Sequence, residues 1–168
     1  MINELISKNI ITSTNKNYLE IFKGIEISMY GSKAWAFTIQ QLGLKKNKDY
    51  IYELGYIMGE DSAKQIQEIF KKIKYFLPKK IQSITNLIEI MGFGVVEIKK
   101  YTPNQEIIIE IKENQSIIYG EELYKENSLV PEFYAGVYSG FVNIFLEFKK
   151  CRLKTIIKNK IITLEYKK

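Results

Sequence analysis

The segment EFYAGVYSGFVNIFL, from Glu132 to Leu146, is the most apolar stretch of the chain and constrains the fold more than any other feature. Its residues have helical spacing, and a helix that is apolar nearly all round must either be buried or cross a membrane. The run from Phe133 onwards contains Ser139 and Asn143 and is shorter than the about 20 apolar residues that a bilayer span needs. The segment therefore predicts a buried helix and no membrane association.

Two glycines, Gly136 and Gly140, interrupt this helix, and a second pair with the same spacing, Gly55 and Gly59, lies in the sequence GYIMG. A glycine in a helix interior costs about 1 kcal/mol relative to alanine. Glycines four residues apart share one helix face and let another group approach closely. Two explanations remain open: the two helices pack on each other, within one subunit or across a two-fold axis, or the groove lines a cavity.

Aromatic side chains accompany the glycines on the predicted buried helix. Large side chains of this type line apolar ligand pockets, where tyrosine hydroxyls orient the polar end of a ligand, although aromatics at helical spacing more often form a plain core. The candidate ligand-binding residues are Trp35, Met58, Glu132, Tyr134, Tyr138 and Phe141.

The spacing of apolar residues predicts an α+β domain with an antiparallel sheet packed against about four helices, as one domain over residues 1–168. Residues 1–17 either hang free or add a short strand. Before residue 30 the sequence predicts two strands or one bulged strand. Three helices follow, from Ser32 to Gly43, from Asp49 to Phe76 and from Pro78 to Met91, and then two strands at 95–101 and 106–114. The chain ends with a polar loop around YKENS, a helix from Pro131 to about Lys149, and a terminal hairpin of 151–157 and 161–167.

The residues needed for common enzyme chemistry are missing from the sequence. There is no histidine and one cysteine, Cys151, so neither a disulfide nor a thiol and imidazole metal site is expected within one subunit. Glu132 is expected to be a helix-start charge near the positive end of the helix dipole, and Cys151 a structural thiol. We find no catalytic constellation, no nucleotide or other cofactor motif and no signal peptide, and we expect a reducing, cytoplasmic setting.

The formal net charge of +6 comes from lysines spread along the whole chain, with Arg152 as the single arginine. Base readout and bidentate phosphate binding depend largely on arginine. The sequence therefore indicates a solvated lysine-rich surface and no specific nucleic-acid partner.

The order of elements and three local patterns resemble the 4-vinyl reductase family, also described as hydrocarbon-binding domains, whose fold is related to the tethering subunits of the TRAPP complex. The patterns are GYIMGEDSA, EFYAGVYSGFVNIFL followed by a hairpin, and MGFGVVEI at a helix end leading into a strand. The resemblance extends from about Leu19 to the end of the chain.

The resemblance implies a homodimer with an internal apolar pocket between helices and sheet that binds a small hydrophobic molecule. By position, Tyr134, Tyr138 and Phe141 would border that pocket. Many members carry cysteines in the last hairpin and near the start of the preceding helix, and in some regulators these cysteines bind zinc. This chain has Ile157 and Ile162 near the hairpin positions, and Glu132 is the one plausible ligand left. Metal binding of the family kind is therefore not expected, and signalling would need a separate protein partner because the regulators' other domains are absent.

Three functional hypotheses follow. The first is a dimeric sensor or carrier that encloses a small apolar or aromatic ligand. The second is a reductase of a vinyl group on a tetrapyrrole-like substrate, which would need a hydride or electron source that no motif in the chain provides. The third is an assembly subunit without a ligand, which would expose a large apolar surface. The sequence favours binding over catalysis.

Overall fold

Helices α1–α4 and strands β1–β7 form the architecture in the computed structural model, which describes residues 11–13, 19–21, 25–27, 31–72, 85–86, 88–89, 92–146, 148, 151–158 and 161–167. In chain order the elements are β1 Ile11–Ser13, β2 Leu19–Ile21, β3 Ile25–Ile27, α1 Ser32–Lys45, α2 Lys48–Lys72, β4 Val95–Thr102, β5 Glu106–Lys112, α3 Gln115–Tyr124, a 3-10 turn Lys125–Asn127, α4 Val130–Phe145, β6 Lys154–Lys158 and β7 Ile161–Lys167.

The strands form two antiparallel sheets. One contains β1, β2 and β3 in that order, and the other has the order β4-β5-β7-β6, so that the terminal hairpin docks through β7. In the larger sheet, alternate isoleucines of β5 are buried while Glu106, Glu110 and Lys112 lie on the other face. Ile109 pairs with Leu164 of β7, which is itself buried. One face of this sheet therefore belongs to the core, as the alternation in the sequence predicts.

Helix α4 is the centre of the molecule. Nearly every residue from Val130 to Phe145 is buried, and α2 packs along it in the most extensive contact between described elements. The helix begins with Pro131 and Glu132 in its first turn, an arrangement that suits the exposed N–H groups and the positive end of the helix dipole. The prediction of a buried helix is confirmed, and so is the α+β fold class.

The predicted helix ends differ from the observed ones in two places. Helix α4 ends at Phe145 and not near Lys149, and the side chain of Asn143 in its last turn accepts a hydrogen bond from the backbone N–H of Cys151 at 3.0 Å. Helix α1 has Gly31 as its N-cap and runs through Gly43, where a Cβ would lie 2.2 Å from the side chain of Leu129. Gly43 is therefore a packing residue and does not end the helix.

Helix α3 is absent from the sequence-based prediction, which extends a strand to residue 114 and places a polar loop after it. The side chain of Asn114 makes the difference: its oxygen accepts from the N–H of Ile117 at 3.0 Å, and its amide donates to the carbonyl of Phe93 at 2.8 Å. This N-cap ends β5 two residues early and begins a helix.

The remaining predictions for the chain agree with the described part. Strands β2 and β3 lie within the first thirty residues, β1 lies within the first seventeen, and the terminal hairpin is present. Helix α2 starts one residue before Asp49, and the predicted end at Phe76 lies outside the described residues. Most of the helix predicted from Pro78 to Met91 also lies outside them, while residues 85–86 and 88–89 are helical.

Candidate functional site

Helix α4 presents two opposite faces to its surroundings. At about 100° per residue, Gly136 and Gly140 point to one side of the helix, whereas Tyr138 and Phe141 point to the other. The glycine face meets α2, and the aromatic face meets the larger sheet. The glycines and the aromatic side chains of α4 therefore contact different elements.

The glycine face is filled by the backbone of α2. A Cβ at Gly136 would lie 2.1 Å from the carbonyl oxygen of Tyr52, and one at Gly140 would lie 2.4 Å from the amide nitrogen of Glu60. The contact is reciprocal, since a Cβ at Gly59 would lie 2.1 Å from the carbonyl oxygen of Val137. The close approach that the four glycines permit is thus a helix crossing within one chain, and no open groove remains there.

A small cavity lies on the opposite face of α4, where the helix meets strands β4 and β5. The space available to the centre of a water-sized sphere is about 20 Å³, and the lining surface contributed by the described residues is wholly apolar. Its lining residues come from α4, the larger sheet and the segment before β4: Thr85, Ile88, Val96, Ile98, Ile109, Tyr138, Phe141, Val142, Phe145 and Leu146.

The hydroxyl of Tyr138 forms a hydrogen bond with the backbone outside this cavity. It donates to the carbonyl oxygen of Phe93 at 3.0 Å, an oxygen that also accepts from the side chain of Asn114. Burial raises the pKa of Tyr138 well above its ordinary value, so the hydroxyl stays protonated. The cavity is therefore bordered by the ring of Tyr138, while its hydroxyl anchors the turn before β4.

Two other aromatic candidates, Trp35 and Tyr134, lie together away from this cavity. Trp35 meets Phe133 edge to face with ring centroids 5.5 Å apart, and Tyr134 meets Phe93 in the same manner at 5.8 Å. Burial raises the pKa of Tyr134, an effect that hydrogen bonds to Ser116, Asn114 and Trp35 partly offset. These rings join α1, α3 and α4.

The last two candidates, Met58 and Glu132, are not near the cavity either. Met58 is 39% exposed on α2. Glu132 forms an ion pair with Lys48 at 3.1 Å, with 13% of the carboxylate side chain exposed. The structure thus brings two of the six candidates, Tyr138 and Phe141, to the cavity and places the other four elsewhere.

Several cavity residues are not among the candidates from the sequence. Val142 and Phe145 follow Tyr138 and Phe141 at helical spacing, and this repeat is the signal in the sequence that would have identified the face. Val96, Ile98 and Ile109 carry no such signal, because their position opposite α4 depends on how the sheet docks.

The pKa values of Cys151 and Tyr52 are both raised to about 12, chiefly because the two groups are buried. Cys151 is 2% exposed, which fits the predicted structural thiol. Burial disfavours the charged thiolate, and this desolvation raises the pKa of the thiol.

These two groups make stability sensitive to alkaline pH. In the unfolded chain the thiol loses its proton near pH 9 and the phenol near pH 10, while both keep it in the folded protein up to about pH 12. The unfolded state then binds fewer protons, so the free energy of unfolding should fall as pH rises from 9 to 12.

Urea denaturation across this pH range measures the effect. In Cys151→Ala the fall should begin near pH 10 instead of pH 9, because the buried phenols of Tyr52, Tyr134 and Tyr138 are then the groups whose pKa is raised on folding. Identical pH profiles for the variant and the wild type would contradict the role given to the thiol.

Two further properties concern membranes and metals. Within the described ranges, no helix combines the length and apolar character that a membrane crossing requires. Among the same residues, no group of three or more histidine, cysteine, aspartate or glutamate side chains is placed to hold a metal ion.

Comparison with known proteins gives a fold relationship. No protein-family model and no curated protein matches the sequence. Among solved structures, the phenol-responsive sensory domain of the transcription activator PoxR, solved with phenol, matches with a TM-score of 0.71 at 9% identity, over 99% of this chain and 90% of that one. The chain therefore shares the overall fold of that domain.

Proposed function

We propose that this protein is a binding module that encloses a small apolar or aromatic molecule between α4 and the larger sheet. The observation that carries the proposal is the cavity bordered by Tyr138, Phe141 and Val142, whose described lining is wholly apolar. Apolar cavities stay dry and take up apolar guests, because water finds no hydrogen-bond partners in them. The fold shared with a phenol-responsive sensory domain supports the same use.

The volume of the cavity limits the guest. About 20 Å³ is close to the ~10–15 Å³ that one water needs, so a guest with several heavy atoms requires the lining side chains to move apart. Phe141 and Phe145, whose rings stack at 5.9 Å between centroids, border the space. A rearrangement of these rings would enlarge the site without breaking a hydrogen bond.

The proposal extends to the family, the oligomeric state, the cellular location and the protein partner. We propose membership of the 4-vinyl reductase family, a homodimeric sensor or carrier role in the cytoplasm, and a separate regulatory protein as partner. The sequence patterns around Gly55 and Gly136 support the family. Exposed apolar side chains that a second copy would cover support the dimer, among them Phe37 at 54%, Leu44 at 68% and Ile57 at 63%.

Native mass spectrometry of gently purified protein tests the oligomeric state and the presence of a bound molecule in one measurement. A homodimer appears at twice the chain mass of 19.7 kDa, and a bound molecule appears as extra mass that is lost on denaturation. A monomer at micromolar concentration would contradict the dimer.

Ligand binding itself is tested with benzene, toluene and phenol as probes, with thermal unfolding as the readout. At least one of them should raise the Tm of the wild-type protein in proportion to ligand concentration. Val96→Phe should abolish this shift, because Val96 borders the cavity and is 7% exposed. The overpacked variant should also lose about 1–3 kcal/mol of stability.

The matched control is Val95→Phe, the same substitution one residue earlier on the opposite face of β4, where the side chain is 42% exposed. It should keep the full ligand shift. If Val96→Phe does not fold, Val96→Ile adds a single carbon to the same space and should weaken the shift. The proposal is wrong if none of the probes shifts the wild-type Tm, or if Val96→Ile and Val95→Phe respond alike.

A further inference from the structure

Strand β6 lies at one edge of the larger sheet. In the order β4-β5-β7-β6 it pairs with β7 on one side, and no other described strand lies on its free side. Its pairing with β7 is regular from Lys154 to Lys158. The neighbouring Ile156 and Ile157, whose side chains point to opposite faces of the strand, are 45% and 47% exposed. The edge therefore combines free backbone N–H and C=O groups with apolar side chains on both faces, a surface to which a further strand can add.

The other edge of this sheet, β4, is less suited to a further strand. Its pairing with β5 is interrupted by a bulge between Ile98 and Lys100. Glu97 of β4 and Glu110 of β5 lie opposite each other, and the ammonium group of Lys99 pairs with both carboxylates at 2.7 and 3.3 Å. Bulges and charged side chains protect a sheet edge from an added strand. Of the two edges, β6 is the open one.

The sequence around β6 is strongly basic. Residues 148–160 contain five lysines and Arg152 but no aspartate or glutamate, and elsewhere in the chain basic and acidic residues are equal in number. Arg152 pairs with Asp49 of α2, whereas Lys154 is exposed and has Glu165 of β7 as its cross-strand neighbour. A second copy of the chain is a poor occupant, because two β6 strands would bring two basic segments side by side and like charges opposite each other are destabilising. The charge instead favours an acidic occupant.

We propose that β6 binds an extended acidic peptide of a partner protein as an added strand. This inference rests on the separate protein partner in the proposed function and does not depend on the cavity. The backbone of β6 binds the main chain of the peptide, Ile156 and Ile157 contact apolar residues at its centre, and Lys154 attracts a carboxylate near its end. A nucleic acid or an anionic lipid surface would use the positive charge alone and leave the backbone edge unpaired.

Fluorescence anisotropy with a labelled peptide of three valines flanked by glutamates tests the inference on the wild-type protein. The peptide should bind at least about tenfold more tightly than the same peptide with N-methylated valines, which lacks the N–H donors for strand pairing. Equal binding of the N-methylated peptide would overturn the inference, because charge alone would then explain the affinity. Tighter binding of a single-stranded oligonucleotide, or of vesicles containing phosphatidylserine, would overturn it as well.

Lys154→Gln should weaken binding of the acidic peptide by about threefold, the effect of one exposed ion pair. The matched control is Lys100→Gln, the same change at an exposed position on β4, at the opposite edge of the sheet. It should leave the affinity unchanged, and equal losses in both variants would overturn the assignment of the site to β6. Ligand binding at the cavity is measured separately by the Tm shift of the wild-type protein, so either proposal can fail without the other.

Discussion

Gly136→Ala is expected to destabilise the protein by about 3 kcal/mol or more, although alanine is the better helix former by about 1 kcal/mol. The added Cβ would lie 2.1 Å from the carbonyl oxygen of Tyr52 and 2.8 Å from the amide nitrogen of Tyr56. Both atoms belong to the backbone of α2, so no side chain can rotate away to relieve the contact. Helices α2 and α4 must move apart, and the loss is a large share of a typical total stability of about 5–15 kcal/mol.

Urea denaturation of Gly136→Ala and of Gly31→Ala measures this effect. No atom lies within 4 Å of the position that a Cβ would take at Gly31, and its φ is negative, so this substitution should change stability by no more than about 1 kcal/mol. Because the crossing lies within one chain, the loss in Gly136→Ala should not depend on protein concentration. A loss that appears only in dilute solution would instead place the glycines at a contact between subunits.

The amphipathic pattern of α2 and the alternation in β5 are sufficient to predict most of the fold. Each depends on spacing within one segment, and the turn between β4 and β5 has its own local signal in TPNQ, where Asn104 has φ 55°. Helix α3 escapes prediction because Asn114 is assigned to the end of a strand, whereas its side chain caps the helix by accepting from the N–H of Ile117. The same side chain donates to the carbonyl of Phe93, which is distant in sequence, so a tertiary contact also holds the cap in place.

The candidate site is predictable only in part, because local spacing identifies residues of one helix but does not show how that helix docks. The sequence identifies Tyr138 and Phe141 as members of an aromatic helix, but the direction in which each helix face points depends on tertiary docking. Of the two explanations that the sequence leaves open, the cavity explanation places the glycines and the aromatics along one groove, whereas α2 occupies the glycine face and the cavity lies on the opposite face of α4. Trp35 and Tyr134 are grouped with the cavity because composition alone does not separate a core ring from a lining ring.

Ser139→Ala is expected to lower the free energy of unfolding by about 2–4 kcal/mol. The hydroxyl of Ser139 is fully buried and makes three hydrogen bonds: it accepts from the hydroxyl of Tyr52 at 2.6 Å and from the N–H of Leu153 at 3.0 Å, and it donates to the carbonyl of Ala135 at 2.7 Å. Alanine at this position removes an acceptor shared by two buried donors, the hydroxyl of Tyr52 on α2 and the N–H of Leu153 on the segment that leads into β6.

A double-mutant cycle with Tyr52→Phe separates this penalty from a general loss of packing. Tyr52→Phe alone should cost about 1 kcal/mol, since Ser139 keeps its other two bonds. Added to Ser139→Ala, the same change should restore part of the stability, because it removes one of the two unpaired donors. Stability is read from urea denaturation at neutral pH, where Tyr52 is protonated because burial raises its pKa to about 12. Strictly additive losses would show that the hydroxyls of Ser139 and Tyr52 do not act together, whereas recovery in the double variant would show that the Tyr52 hydroxyl, left without its acceptor, accounts for part of the loss in Ser139→Ala.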